Sequence, residues 1–187
     1  VTTASHRLAA TLLVVALAGC ATQAPTYQAS VDNVEALRRE HIKPLQVGSV
    51  EAAPGLSTAS SISWRANSMI SPVGAGYADY LGAALRQELE FAKLLDPQSP
   101  ISVSAVLLKN DIAAGGISTN SGEIEARFTV RRDGAVRYEA TKRAALTWES
   151  SFAAAVAVPL AMQNYPRLVQ ALLGELFKDA AFVAACK

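Results

Sequence analysis

EIEARFTVRRDGAVRYEATKRAALTW, Glu123 to Trp148, is the stretch that decides the fold. Ile124, Ala126, Phe128 and Val130 alternate with Glu125, Arg127, Thr129 and Arg131, the period of a strand with one wet face. Asp133-Gly134 then supplies two residues that tolerate positive φ, so the chain reverses in a tight hairpin. The returning strand puts Val136, Tyr138, Ala140, Ala144, Leu146 and Trp148 on one face. Lys142 interrupts that face, and a bulge or an exposed strand end is expected there. Immediately upstream, ISVSAVLLKND (101–111) is apolar on both faces around Val103, Ala105, Val106, Leu107 and Leu108, as a central strand should be. These three strands predict an antiparallel meander.

Working outward, Tyr77, Leu81, Leu85 and Leu89 step by four, and Ala84, Ala92 and Leu95 widen the stripe into an amphipathic helix that Asp96-Pro97 should end. Ile42 to Val50 reads as a first strand near an edge, because Pro44 and Gly48 weaken it. Residues 51–60 read as a loop, Ile62 to Ala66 as a short strand, and 67–76 as a second, packed loop, the alternative being a mobile partner-binding lip. Ser150 to Met162 reads either as a buried loop or as a short helix broken by Pro159. After it, Asn164 and Pro166 suit the first turn of a helix whose inner face is Leu168, Leu172, Leu173, Leu176 and Phe177. Asp179 is placed to cap a last turn carrying Phe182 and Val183. The resulting expectation is an α+β domain over residues 35–187: a mainly antiparallel sheet of about five strands, with a C-terminal three-strand meander, covered on one face by two helices.

Composition removes several function classes. The chain has 187 residues, 51% hydrophobic and 18% charged, so it can bury a core. Lys+Arg number 17 against 16 Asp+Glu, which gives no electrostatic footprint for nucleic acid. Two Cys exclude a disulfide scaffold, and two His leave little for metal or acid–base chemistry.

The N-terminus carries an address. Arg7 precedes an apolar run from Leu8 to Ala18, well short of the about 20 residues a membrane span needs. Leu17-Ala18-Gly19-Cys20 closes the run and resembles the bacterial lipobox. That resemblance implies acylation of the Cys20 thiol, recognition of Leu17, Ala18 and Gly19 by the signal peptidase, and cleavage before Cys20. Residues 1–19 are then the signal peptide. Removing them takes Arg7 away and leaves a neutral chain, so the acyl chains rather than a basic patch would hold the protein to a bilayer. Ala21, where an Asp would resemble the inner-membrane retention signal, points to the outer membrane. Residues 20–34, small and polar with Pro25, read as the acylated Cys and a flexible tether spanning roughly 20 Å.

No catalytic, cofactor-binding or metal-binding residue emerges. His41 reads as solvated, because no Ser or Cys partner is placed for a triad. Cys186 reads as a free or buried thiol, and Gly115-Gly116 lacks the Lys of a phosphate loop. Glu123 and Glu125 share a strand face with Arg127 and Arg131, which favours ion pairing. Glu88 and Glu90, beside Arg86 and Lys93, read as a solvated helix surface. Trp64 and Trp148 read as core residues on apolar strand faces.

The lipobox, the helix YADYLGAALRQELE (77–90), the strand ISVSAVLLKND and the helix NYPRLVQALLGELFKD (164–179) together resemble the small YajG-type lipoproteins. In plan they are similar to the auxiliary lipoproteins of ABC-type lipid transport systems. The resemblance implies a non-enzymatic, uncharacterised cell-envelope lipoprotein (its acyl chains typified by palmitate), without cofactor or metal, anchored in the outer membrane and facing the periplasm. An accessory or scaffold role that binds an envelope protein partner follows from it. The alternative is a carrier of a lipid or hydrophobic ligand, held between helix 77–95 and the sheet.

Overall fold

The computed structural model describes residues 21–64 and 67–187; Leu17–Cys20 and the signal-peptide reading lie outside them. The order is β1 (Ala21–Gln23), α1 (Val31–Arg39), β2 (Gln46–Ala52), β3 (Ser61–Trp64), β4 (Asn67–Ile70), α2 (Tyr77–Ala92), β5 (Ile101–Ala113), β6 (Thr119–Arg132), β7 (Ala135–Glu149), α3 (Ala154–Phe177) and α4 (Ala180–Cys186). The class is α+β, as expected. The strands divide into two sheets rather than one, β2-β5-β6-β7 and β1-β4-β3, and the β2–β5 and β1–β4 pairs are parallel.

The meander forms as its alternation requires. Ile124, Ala126, Phe128 and Val130 are fully buried on β6, and Asp133 (φ 51°) with Gly134 (φ 78°) makes the predicted two-residue turn. β5 is central, between β2 and β6. Its register to β6 shifts between Leu107 and Lys109, so Asn110 and Ile112 continue the buried face. The irregularity expected at Lys142 is absent: β6 and β7 pair without a break there, and the shift falls at Arg137 instead. Lys142 sits on the inner face because its ammonium pairs with Asp179 at 2.6 Å.

α2 ends earlier than Asp96-Pro97 suggested. Lys93 adopts the left-handed conformation (φ 62°) and its N–H closes on the Glu90 and Leu89 carbonyls. The helix buries Leu81, Leu85 and Leu89 against the sheet, where Val103 and Leu107 are equally buried. These side chains fill the middle of the contact between α2 and the sheet.

Three further expectations are corrected. The 67–76 segment is not all loop, since β4 pairs with β3 in a hairpin and buries Met69. Most of the 150–162 segment belongs to α3, which starts at Ala154 and passes through Pro159 and Pro166. Pro159 costs only the bond to the Ala155 carbonyl, at an exposed position where water can replace it. Asn164 therefore caps nothing and instead donates to the Leu160 carbonyl at 2.8 Å. Finally, residues 21–34 do not hang as a tether: β1 pairs with β4, Ala24 and Tyr27 are buried, and Ser30 caps α1 through the Asn33 N–H.

Candidate functional site

The N-terminal segment is fastened to α2 by one side chain. Glu88 is wholly buried, and its Oε1 accepts from the Tyr27 hydroxyl at 2.5 Å, the Ser30 N–H at 3.0 Å and the Asn33 Nδ2 at 3.0 Å. Its Oε2 is buried without a donor. The solvated-surface reading of Glu88 is therefore overturned, while Glu90 is exposed as expected. A signal was present in the sequence, because Glu88 falls inside the apolar stripe between Leu85 and Leu89. Asn33 also donates to the Gln170 carbonyl on α3 at 3.0 Å, and Gly174 lets it approach: a Cβ there would lie 2.9 Å from its Oδ1.

Four tyrosines extend this node. Tyr80 donates to the Pro25 carbonyl, Tyr77 to the Met69 carbonyl and Tyr165 to Asn110 Oδ1. Ring centroids of Tyr77 and Tyr80 lie 4.9 and 5.3 Å from that of Tyr165, and Tyr27 meets Tyr80 edge-on at 6.2 Å. Burial pushes all four hydroxyls above their ordinary ionisation range, and for Tyr27 the Glu88 carboxyl adds to the effect. They act as fixed donors that tie the N-terminal segment, β4 and β5 to the helices.

Over this node lies a cleft of about 390 Å³ between Thr26–Tyr27, Pro72–Val73 and the outer face of α2 at Tyr80, Ala83, Arg86, Gln87 and Glu90. Its floor is mostly apolar, Arg86 and Glu90 stand exposed one turn apart, and the Gln87 side-chain oxygen is buried with no donor. Val73, in the segment read as a packed loop or a lip, lines the cleft. The site could take an apolar side chain from a partner, bracketed by one cation and one anion. It presents no nucleophile–base pair.

The other flagged residues are spread apart. His41 is exposed in the turn after α1. Cys186 is a buried free thiol whose ionisation burial pushes up to about 12. Glu123 pairs with Lys109 at 3.1 Å and Arg143 at 2.7 Å, across both neighbouring strands and not with Arg127 or Arg131; hydrogen bonding from Lys109, then from Arg143, holds its carboxyl below the ordinary value and favours the charged form. Trp64 is in the core and Trp148 packs partly buried against it. Among the described residues no cluster of His, Cys, Asp or Glu is arranged to hold a metal ion, and no helix is long and apolar enough to cross a membrane.

No family model matches the chain, and no curated protein matches it. Among solved structures it is similar to XCC0632 of Xanthomonas campestris, of family DUF330, at 15% identity and a TM-score of 0.49 over 83% of this chain and 93% of that one. It is also similar to a "putative lipoprotein" from Caulobacter crescentus, at 15% identity and a TM-score of 0.42 over 56% and 83%. A third is the hypothetical protein CT253 of Chlamydia trachomatis, at 13% identity and a TM-score of 0.37 over 71% and 97%.

Proposed function

We propose that the protein is a lipid-anchored envelope lipoprotein, not an enzyme, that acts as an accessory or scaffold component by binding an envelope protein partner. The observation that carries this reading is the sequence LAGC at 17–20, directly before a chain that is folded from Ala21 onward. Acyl chains on Cys20 would contribute about 0.8 kcal/mol per buried CH₂, enough for two or three chains to anchor the protein lastingly. Ala21 favours the outer membrane, with the domain facing the periplasm. The cleft beside Tyr27 and Arg86 is the surface we assign to the partner. Its apolar floor, flanking charges and unmet Gln87 acceptor suit a peptide segment with an apolar side chain and a free N–H.

The test has two arms. Wild-type protein should take up a fatty-acid probe and fractionate with the outer membrane, while Cys20→Ser should lose the label and accumulate as precursor or soluble protein. A photo-cross-linker at Ala83, in the cleft, should give one discrete adduct in the native envelope that a linker at exposed Arg137 does not give. Unlabelled wild-type protein in the periplasm contradicts the anchor; no Ala83-specific adduct contradicts the partner site.

A further inference from the structure

The helix-covered face of β6 is apolar until the strand's last residue. Ile124, Ala126, Phe128 and Val130 alternate along it, and Arg132, two positions beyond Val130, continues it. The Nη2 of Arg132 is shut away from water and has no acceptor. Arg137 reaches the same place by another route. It is the extra residue of a bulge in β7, left over where Val130 pairs with Tyr138 and Arg131 with Val136, and a bulge re-aims the side chain it carries. Together the two arginines line an open hollow of about 370 Å³ whose remaining wall is Ala181, Ala184 and Ala185 of α4. The hollow shares no lining residue with the cleft at Tyr27 and Arg86.

Lys142 is a third cation on this side of the sheet, and the fold supplies its counter-charge. Asp179 pairs with it at 2.6 Å and is further occupied by the Tyr138 hydroxyl and the Ala181 N–H. No ion pair among the described residues involves Arg132 or Arg137. A buried guanidinium donor without an acceptor destabilises the fold, and an apolar residue continuing the β6 face would not. An anion from outside the chain would offset that penalty at Arg132 and occupy the exposed fork of Arg137 as well.

We infer that this hollow is a phosphate-ester site, in which the Arg132 and Arg137 guanidiniums grip the phosphoryl oxygens and the alanine wall of α4 leaves room for the esterified group. Each guanidinium presents a planar fork of donors. A carboxylate offers two oxygens in one plane, which a single fork already covers. The oxygens of a tetrahedral phosphoryl group lie in several planes, so forks from two strands can bind it at once. The volume falls within the range of small-ligand sites, about 300–1,000 Å³, so the bound phosphoryl group can carry an organic substituent. Such a group comes either from a soluble phosphate ester or from the headgroup of a phospholipid, and the chemistry at the arginines is the same for both.

The test titrates full-length protein, in a non-ionic detergent at constant ionic strength, with glycerol 3-phosphate, dihexanoyl phosphatidylglycerol or acetate, and follows the Nε–H NMR signals of the arginines. Glycerol 3-phosphate or the short-chain lipid should shift the Arg132 and Arg137 signals to saturation. The signal of Arg127, exposed on the opposite face of β6, should stay in place. Arg132→Gln and Arg137→Gln should each weaken binding about tenfold or more, while Arg127→Gln, of the same net charge, should not. Circular dichroism checks each fold, and if Arg132→Gln does not fold, the exposed Arg137→Gln carries the comparison. Saturable binding of the soluble ester supports the site with a free phosphate ester as its ligand; binding of the lipid alone supports it with a headgroup. Acetate saturating as tightly as either phosphate overturns the phosphoryl assignment. An equal loss in Arg127→Gln overturns the site in favour of diffuse charge, and Arg132 and Arg137 signals that stay unmoved at millimolar ligand overturn it outright.

Discussion

The β6–β7 hairpin and the N-terminal segment from Ala21 to Arg39 are both ordered, and they are held by opposite means. The hairpin pairs residues that are close in sequence, with an apolar face beneath that Lys142 interrupts and a two-residue turn at its end. Ahead of the amphipathic α1, residues 21–30 have no apolar period of their own, and they are fastened by a carboxylate 61 positions away from Tyr27. Cross-strand pairing spreads its stabilisation over many small contributions, whereas the node at Glu88 concentrates three donors on one oxygen atom. The hairpin should therefore tolerate single changes that the node does not.

The sharpest way to break this contrast is Glu88→Ala. It leaves the Tyr27 hydroxyl, the Ser30 N–H and one Asn33 N–H without an acceptor in a buried site, and should cost about 3 kcal/mol or more in urea unfolding. Glu88→Gln keeps an acceptor oxygen and should lose clearly less. Equal stability of Glu88→Ala and wild type would mean the segment is held by something else.

Asp179→Ala is expected to come next. Asp179 caps α4 through the Ala181 N–H at 2.8 Å, accepts from Tyr138 at 2.8 Å and pairs with Lys142, so its removal should cost about 1–2 kcal/mol. The hydrogen bond from Lys142, then those from Tyr138 and the Ala181 N–H, hold its carboxyl at about 2, below the ordinary value of 3.8. A depressed carboxyl stabilises the fold above its unfolded value, and that contribution should fade as pH drops from about 4 toward 2. Asp179→Asn should flatten this part of the acid-unfolding profile; an unchanged profile would contradict the assignment.

The smallest effect is expected on the meander's outer face. Glu123→Gln removes two ion pairs to exposed Lys109 and Arg143, and its melting midpoint at physiological salt should stay within repeat error of wild type. A large loss would place stabilisation in surface charge pairs that the hairpin geometry does not require.

Legibility in the sequence follows the same division. β6, β7 and α2 could be read because apolar period, turn residues and caps lie within a few positions of one another. ATQAPTYQASVDNV looked like a tether because its anchors are elsewhere: Ile70 for Ala24, Tyr80 for Pro25 and Glu88 for Tyr27. The first turns of α3 are hidden in the sequence because Pro159 is a local stop signal, and only its exposed position lets the helix continue. The cleft draws on three separated segments, so no single window of sequence contains it. Glu88 was readable in principle, as a carboxylate inside an apolar stripe, and its partners were not.

The most direct measurement is amide hydrogen exchange of the Ala24 and Ser30 N–H groups in wild type and Glu88→Ala. Their acceptors are the Ile70 carbonyl at 2.8 Å and Glu88 Oε1 at 3.0 Å. If the folded domain begins at Ala21 and is closed by Glu88, both amides should exchange in wild type nearly as slowly as the central β5 amides, and Ser30 should lose that protection in Glu88→Ala. Exchange of both amides within seconds in the wild-type protein would show a free tether and contradict the placement of the N-terminal segment.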